Sequence, residues 1–382
     1  MLEDLRQGSK TKTCRLNKAI YGLKQAGRQW FKKLDLKLKD IGFQASAADP
    51  CMYVSSSGGE IIGVYVDDLI IATKTDESYN KIKENLSNWF EMKDLGTLNY
   101  CLGIQFKNEN GVISANQSKY IKNVLEKFNM ENCKPIGSPM DPKTKLTPSE
   151  EKSQENLPYQ NLIGCLMYLS VATRPDISFA VSYLSQFNSC YNSQHWNAAK
   201  RVLRYLKGTM DFSLTYQKTG QPIIGYADAD WGSCTIDRRS YSGHCFIFAG
   251  SAISWSAKKQ SCVALSTAEA EHAAITEATK EALHLRNLAV DLHMDQQKIK
   301  IFSDNQAAQH IAKNLVVSSR SKHIDIKLHF IRDVIERGDI ELDYISTQEM
   351  TADILTKPLA KPRHFDLLQK LGLTSSSREE EC

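Results

Sequence analysis

The run STAEAEHAAITEATKEALHLRNLAV, Ser266 to Val290, reads as one long helix, and the phase of its residues decides what it packs against. With Glu271 as origin, Ala274, Ile275, Ala278, Ala282, Leu285 and Ala289 fall within about 60° of it at ~100° per residue. That stripe is apolar and must face a sheet, so Glu271 points inward with it. Glu269 lies roughly 200° away from Glu271 and shares its direction with Thr276, Lys280 and Asn287. It stands three residues after Ser266, the spacing of a capping box, so its expected role is to fix where the helix begins.

Working outward, three strands precede this helix: PIIGYADAD, YSGHCFIFAG and AISWSA. After it come KIKIFSD as a strand, NQAAQHIAKN and KHIDIKLHFIRDVIER as helices, IELDYIS as a strand and TADILTK as the start of a last helix. A three-strand meander followed by alternating helices and strands predicts an α/β (α+β) unit, a mixed five-stranded sheet with flanking helices, over residues 221–373. Residues 374–382, ending SSSREEEC, read as a disordered tail.

Acids sit at telling places in that order. Asp228 ends the first strand, Asp304 ends the fourth, and Asp353 falls in the first turn of the last helix, with Asp230 a runner-up to Asp228 on the same strand parity. Each acid taken alone reads first as a solvated strand end or helix turn. Together with an inward-facing glutamate they form a cluster of like charges that is unfavourable without a cation. Two-ion phosphoryl chemistry needs such a set, because carboxylate oxygens must hold two hard cations ~3.5 to 4 Å apart.

The rest of the chain is divided by composition. Residues 1–130 mix short strands and helices, with EIIGVYVDDLIIAT the clearest strand pair and Ser118 to Phe128 the clearest helix. Residues 131–158 are rich in proline and charge without apolar period, a linker or an extended strap. Residues 159–220 return to helical spacing. In HWNAAKRVLRYLKGT, Ala199, Val202, Leu203 and Leu206 line one face, while Lys200, Arg201, Arg204 and Lys207 line the other, either a solvated basic face or a contact for a phosphate backbone.

With 42% apolar and 24% charged residues the composition is that of an ordinary soluble protein. Net charge is +4 and the pI about 8.4, weaker than the footprint of a dedicated DNA-binding domain. No run of 18 apolar residues and no signal-peptide core occurs, so no membrane span is expected and the location expected is intracellular, cytoplasmic or nuclear. The 10 cysteines form no C-x-x-C pair and read as reduced core residues.

YADADW, STAEAEHAA, FSDNQAA, SKHIDIKLHFIRD and TADILTKPL, in this order, closely resemble the RNase H domain of copia-type long-terminal-repeat retrotransposon Pol polyproteins. CRLNKAIYGLKQAGRQWF, VYVDDLIIAT and YCLGIQF resemble the palm and thumb of the same polyprotein's reverse transcriptase, and TRPDISFAVSYLSQF with RVLRYLKGT resembles the connecting region. The resemblance runs from about Thr13 to Leu373. It implies a truncated palm and thumb, a helical connection and an RNase H-like domain that cleaves the RNA strand of RNA–DNA hybrids. Two Mg2+ ions, for which Mn2+ substitutes, are implied as cofactors, held by Asp228, Glu271, Asp304 and Asp353. A histidine that cellular relatives carry before the last helix has no counterpart in YISTQEMTAD.

The resemblance also bears on Asp67 and Asp68. A polymerase of this type uses a third aspartate on an upstream strand, and the acids ahead of the hairpin, Glu3, Asp4, Asp35, Asp40, Asp49 and Glu60, lie in no apolar strand motif. Asp35 and Asp40 belong to a helix. Asp67 and Asp68 are therefore expected to be a vestigial polymerase site, with polymerase activity not expected from this chain alone unless a separate reverse transcriptase chain complements it. Lys258 and Lys259, ahead of the long helix, are candidates for a nucleic-acid backbone contact or a solvated loop, and His323 and His329 read as packing or capping residues. The alternative to a nuclease is an inactive or non-enzymatic nucleic-acid-binding remnant.

Overall fold

The structure, a computed structural model, describes residues 16–149, 157–294, 296, 298–313 and 325–375. His323 and residues 376–382 lie outside the described residues. The chain divides into two compact units, residues 1–94 with 290–294, and residues 95–289 with 295–382.

In the first unit, α1 (Ala26–Asp40) precedes β1 (Phe43–Ala45), β2 (Met52–Ser55), β3 (Ile61–Tyr65) and β4 (Asp68–Ala72), and α2 (Asp76–Ser87) follows. The four strands form one antiparallel sheet in chain order. Thr75 starts α2 by accepting from the backbone N–H of Ser78 at 3.2 Å. Leu34 and Leu38 of α1 and Ile82 and Leu86 of α2 bury against Phe43, Tyr53 and Ile62 of the sheet. Asp35 and Asp40 are on α1 as expected, and Asp35 accepts from the Tyr53 hydroxyl at 3.0 Å.

The second unit contains two sheets. The first is built from β5 (Tyr100–Cys101), β6 (Ile104–Glu109) and β7 (Val112–Asn116), then, beyond the helices α3 (Ser118–Lys127), α4 (Tyr159–Ala172), α5 (Ser178–Ser185) and α6 (Ser193–Gly208), from β8 (Phe212–Tyr216). Its order is completed by the C-terminal strand β14 (Leu373–Ser375), giving β14-β8-β7-β6-β5, all antiparallel.

The second sheet is the expected mixed one. β9 (Ile224–Ala229), β10 (Tyr241–Phe248) and β11 (Ser251–Lys259) form the meander, α7 (Thr267–Asp291) follows, and then β12 (Ile299–Ser303), α8 (Gln306–Lys313), α9 (Asp325–Glu336), β13 (Ile340–Tyr344) and α10 (Lys361–Lys370). The strand order is β11-β10-β9-β12-β13, with the meander antiparallel and β9, β12 and β13 parallel. β9 and β12, the first and fourth strands of this sheet in chain order, are thus neighbours, pairing Phe302 with Tyr226, which brings their C-terminal ends to one edge. The fold is mixed α/β, with the five-stranded mixed sheet expected over residues 221–373.

The inward stripe of α7 is buried as its phase requires, including Ala270, Glu271, Ala274, Ile275, Ala278, Ala282, Leu285 and Ala289. Its start differs by one residue from a simple capping box. The Ser266 hydroxyl accepts from the Glu269 N–H at 3.2 Å, but the Glu269 carboxylate accepts from the N–H of Leu265 at 2.7 Å, not from Ser266.

Two further expectations need correction. Asp353 is not in the first turn of the last helix but on a separate 3-10 turn, Thr351–Leu355, ahead of α10. Pro358 and the restriction it places on Lys357 prevent the turn from running on as an α-helix. On α6 the basic residues face the strap: Arg204 Nε donates to the Lys134 carbonyl at 2.8 Å, Arg201 Nη2 to the Ser138 hydroxyl at 3.2 Å, and Lys207 to the Glu131 carbonyl. Arg204 and Lys207 satisfy strap carbonyls that have no ladder of their own and Arg201 a strap hydroxyl, so these three are not simply solvated.

Candidate active site

Asp228 is the penultimate residue of β9, Asp304 directly follows β12, and Glu271 sits in the second turn of α7. The structure brings these three together: one carboxylate oxygen from each lies within 4.8 Å of the others, the one such group of three or more potential ligands among the described residues. Asp228 and Glu271 are 1% and 6% exposed, while Asp304 is half-buried, so the group opens toward solvent on one side.

Asp353 is 4% exposed and is held close by through cations. Lys357 Nζ lies 2.8 Å from Asp353 Oδ1 and 3.6 Å from Asp228 Oδ2, and Arg363 Nη2 lies 3.3 Å from Asp353 Oδ2. Hydroxyls complete the surroundings. Thr356 donates to Asp228 and Thr347 donates to Asp304 Oδ2 at 2.7 Å. Thr347 lies in the loop where the sequence offered no histidine.

The 3-10 turn approaches the sheet because Gly243 of β10, the direct partner of Asp228, has no side chain. A Cβ there would stand 2.7 Å from Leu355 Cβ and 2.8 Å from Thr356 Cγ2. Only glycine lets the turn lie close enough to set Asp353 beside Asp228.

The electrostatics are those of an acid cluster only partly offset by Lys357. Burial, then the neighbouring Asp228 and Asp304, push the Glu271 carboxyl up to about 9, and its Oε2 is buried without a hydrogen-bond partner. Burial pushes Asp228 up to about 6 against the opposing effect of Lys357. A buried orphan oxygen among converging carboxylates fits a hard divalent cation, which takes oxygen ligands and neutralises the charge that burial resists. Asp230, also pushed up by burial to about 7, turns instead to the N–H of Tyr241 at the start of β10.

The other anticipated residues lie elsewhere. Asp67 and Asp68 are exposed at the two-residue turn between β3 and β4, where Tyr65 pairs with Asp68 and Val66 has φ 53°. Among the described residues they belong to no group of three or more ligands. Lys258 and Lys259 are the last residues of β11, not a loop; Lys258 is exposed, but Lys259 is bound to Asp237 at 2.9 Å and Gln186 at 3.0 Å. His329 lies exposed in the first turns of α9. Sequence reasoning missed Lys357, Arg363, Thr347, Thr356 and Gly243. The available signal was the i, i+4 spacing of Asp353 and Lys357.

The described chain thus combines a four-stranded antiparallel hairpin sheet with a five-stranded mixed sheet that carries acids at the C-terminal ends of its parallel strands. A family model described as reverse transcriptase (RNA-dependent DNA polymerase) matches residues 5–142. The retrovirus-related Pol polyprotein from transposon TNT 1-94 of Nicotiana tabacum is 39% identical over 376 residues, 95% of this chain and 28% of that polyprotein. The putative transposon Ty5-1 protein of Saccharomyces cerevisiae is 32% identical over 268 residues, 69% of this chain and 87% of that protein. Among solved structures, LC11-RNase H1 in complex with an RNA/DNA hybrid is similar over 35% of this chain and 93% of that one, at 16% identity and a TM-score of 0.27. The chain belongs to the copia-type retrotransposon Pol polyproteins. It spans 25% to 28% of the length of the plant polyproteins it matches. No described helix is long and apolar enough to cross a membrane.

Proposed function

We propose that the second unit is a ribonuclease that hydrolyses the RNA strand of RNA–DNA hybrids, with Asp228, Glu271, Asp304 and Asp353 as the acids of its site. The observation that carries the reading is the convergence of Asp228, Glu271 and Asp304 around a buried, unpartnered carboxylate oxygen. When bound, Mg2+, or Mn2+ in its place, supplies the Lewis-acid charge for phosphodiester hydrolysis, two ions being the arrangement the four acids suit.

The protein's own contribution is placement. Asp228 and Glu271 come from a strand and a helix packed on each other, so their carboxylates are set before substrate arrives. Asp304 is the half-buried member and faces the side from which a hybrid would approach. The Thr347 and Thr356 hydroxyls orient Asp304 and Asp228 by donating to one oxygen of each, leaving the other for a ligand. The exposed Asp67 and Asp68, with no third acid beside them among the described residues, support reading the palm hairpin as structural in this chain.

The test is cleavage of a uniformly labelled RNA–DNA hybrid in Mg2+, with Asp304→Asn as control and primer extension on the same preparation. Cleavage that the substitution reduces to background, without primer extension, is the expected result. A folded protein that leaves the hybrid intact in Mg2+ and in Mn2+ overturns the nuclease reading in favour of a non-enzymatic remnant.

A further inference from the structure

We propose that Lys357 is a displaceable internal counter-ion, filling part of the acid site when no divalent cation is bound and leaving Asp353 when one enters. The inference rests on the metal-binding reading of the site and assigns a role to a residue outside its ligand set.

Three observations carry it. First, the ammonium bridges two of the four acids, 2.8 Å from Asp353 and 3.6 Å from Asp228, both of which are nearly sealed from solvent. Hard divalent cations bind carboxylate oxygens at about 2.0 to 2.6 Å, so the ammonium on Asp353 Oδ1 excludes an ion from that oxygen and, close to Asp228 Oδ2, repels one held by the other Asp228 oxygen. Second, the other three potential partners, Asp228, Glu271 and Asp304, already converge, while Asp353 stands outside that group and against its two cations. Third, the two cations differ in how they are anchored.

Arg363 donates to the carbonyl of Thr347 at 3.0 Å and to that of Gln348, and it contacts Asp366 at 3.2 Å as well as Asp353. It fastens the loop to the turn and has four reasons to stay. Among the described residues the Lys357 ammonium pairs with the two acids, and its side chain is 35% exposed. A flexible four-carbon stem with a path to water can swing out without unpacking the fold. Arg363 then holds the turn while Lys357 departs, and Asp353 Oδ1 is released toward Asp228.

The consequence is a trade between two kinds of neutralisation. Without divalent cations Lys357 stabilises the fold, and with them it opposes binding. The experiment is thermal unfolding of the full chain in EDTA and across a Mg2+ titration, for wild type, Lys357→Met, Lys357→Arg and Asp353→Asn with and without Lys357→Met. Lys357→Met is expected to melt lower in EDTA, to gain more from saturating Mg2+, and to reach half its gain at ~10-fold lower Mg2+, the scale on which groups outside the ligand set tune metal affinity. In the Asp353→Asn background the same substitution should change the Mg2+ midpoint little.

Should Lys357→Met fail to fold, Lys357→Arg decides: a guanidinium that binds the carboxylate with two donors should raise the Mg2+ midpoint above wild type. Equal midpoints and equal gains in wild type and the position-357 variants overturn the counter-ion while leaving the metal reading intact. A wild type whose melting does not respond to Mg2+ or Mn2+ overturns the metal reading, and the counter-ion with it.

Discussion

Glu271 places a carboxylate in the middle of an alanine stripe, and the fold gives it no hydrogen-bonding partner for Oε2. Its folded pKa is raised to about 9 from an ordinary 4.5, chiefly by burial. Below the lower value the group is protonated in both states and contributes no penalty. Above it the unfolded chain ionises while the buried carboxyl keeps its proton, so the metal-free protein loses stability as pH rises from about 4.5 toward 9. Urea midpoints in EDTA should therefore fall between about pH 5 and about pH 8, and Glu271→Gln should flatten that slope. Binding a cation expels the Glu271 proton, so apparent Mg2+ affinity should rise up to about tenfold per pH unit below the raised pKa, and a pH-independent affinity by calorimetry would contradict this. Glu271 was legible because helical phase separates it from Glu269. Lys357 was not, since a lysine four residues past an acid is ordinarily a surface ion pair and only the packed turn shows otherwise.

At the scale of elements, the site depends on how a short turn meets a strand. The 3-10 turn carrying Asp353 lies against β10 at Gly243, and no periodic pattern in YSGHCFIF announces that contact, because a glycine within a strand is as often a bulge. Strand and helix order were readable from period and punctuation, while the pairing of β9 with β12 is seen only in the structure. The turn's packing was not, since it joins residues far apart in sequence. Gly243→Ala should press on Leu355 and Thr356, shifting Asp353 from Asp228 by a fraction of an ångström to an ångström. The expected result is hybrid cleavage lowered by up to about 10²-fold with a stability loss of ~1 to 3 kcal/mol, read from parallel kinetics and urea unfolding. Unchanged cleavage in a folded variant would show that the turn tolerates the extra carbon. The helix α10 that follows the turn rests on a buried ion pair. Arg174 binds Asp176 at 2.7 Å with both side chains fully buried, Tyr205 donates to Asp176 at 2.6 Å, and His364 of α10 contacts the Asp176 carbonyl oxygen at 3.1 Å.

At the scale of the second unit, one apolar core passes through segments that composition separates. Ile121 of α3, Met140 and Leu146 of the strap, Leu162 of α4, Val202 of α6, Cys245 of β10, Leu355 of the 3-10 turn and Leu373 of β14 belong to a single cluster. Sequence pattern marks which face of each helix is apolar but not which partner covers it, so a proline-rich strap and a helical connection look like spacers until the packing is seen. The C-terminal strand makes the same point: β14 follows α10 but pairs with β8, Leu373 opposite Leu214, rather than with the mixed sheet. A fragment of residues 221–375 would leave β14 without its partner and expose the faces that α4, α5 and α6 cover. Residues 95–375 retain the whole cluster. The shorter fragment should show expanded, dye-binding behaviour without a cooperative melt, while the longer one melts cooperatively and keeps the Mg2+ response. A cooperative transition of the 221–375 fragment at the temperature of the longer one would show that the mixed sheet is self-sufficient, and that the shared core serves to place Asp353 rather than to hold the fold.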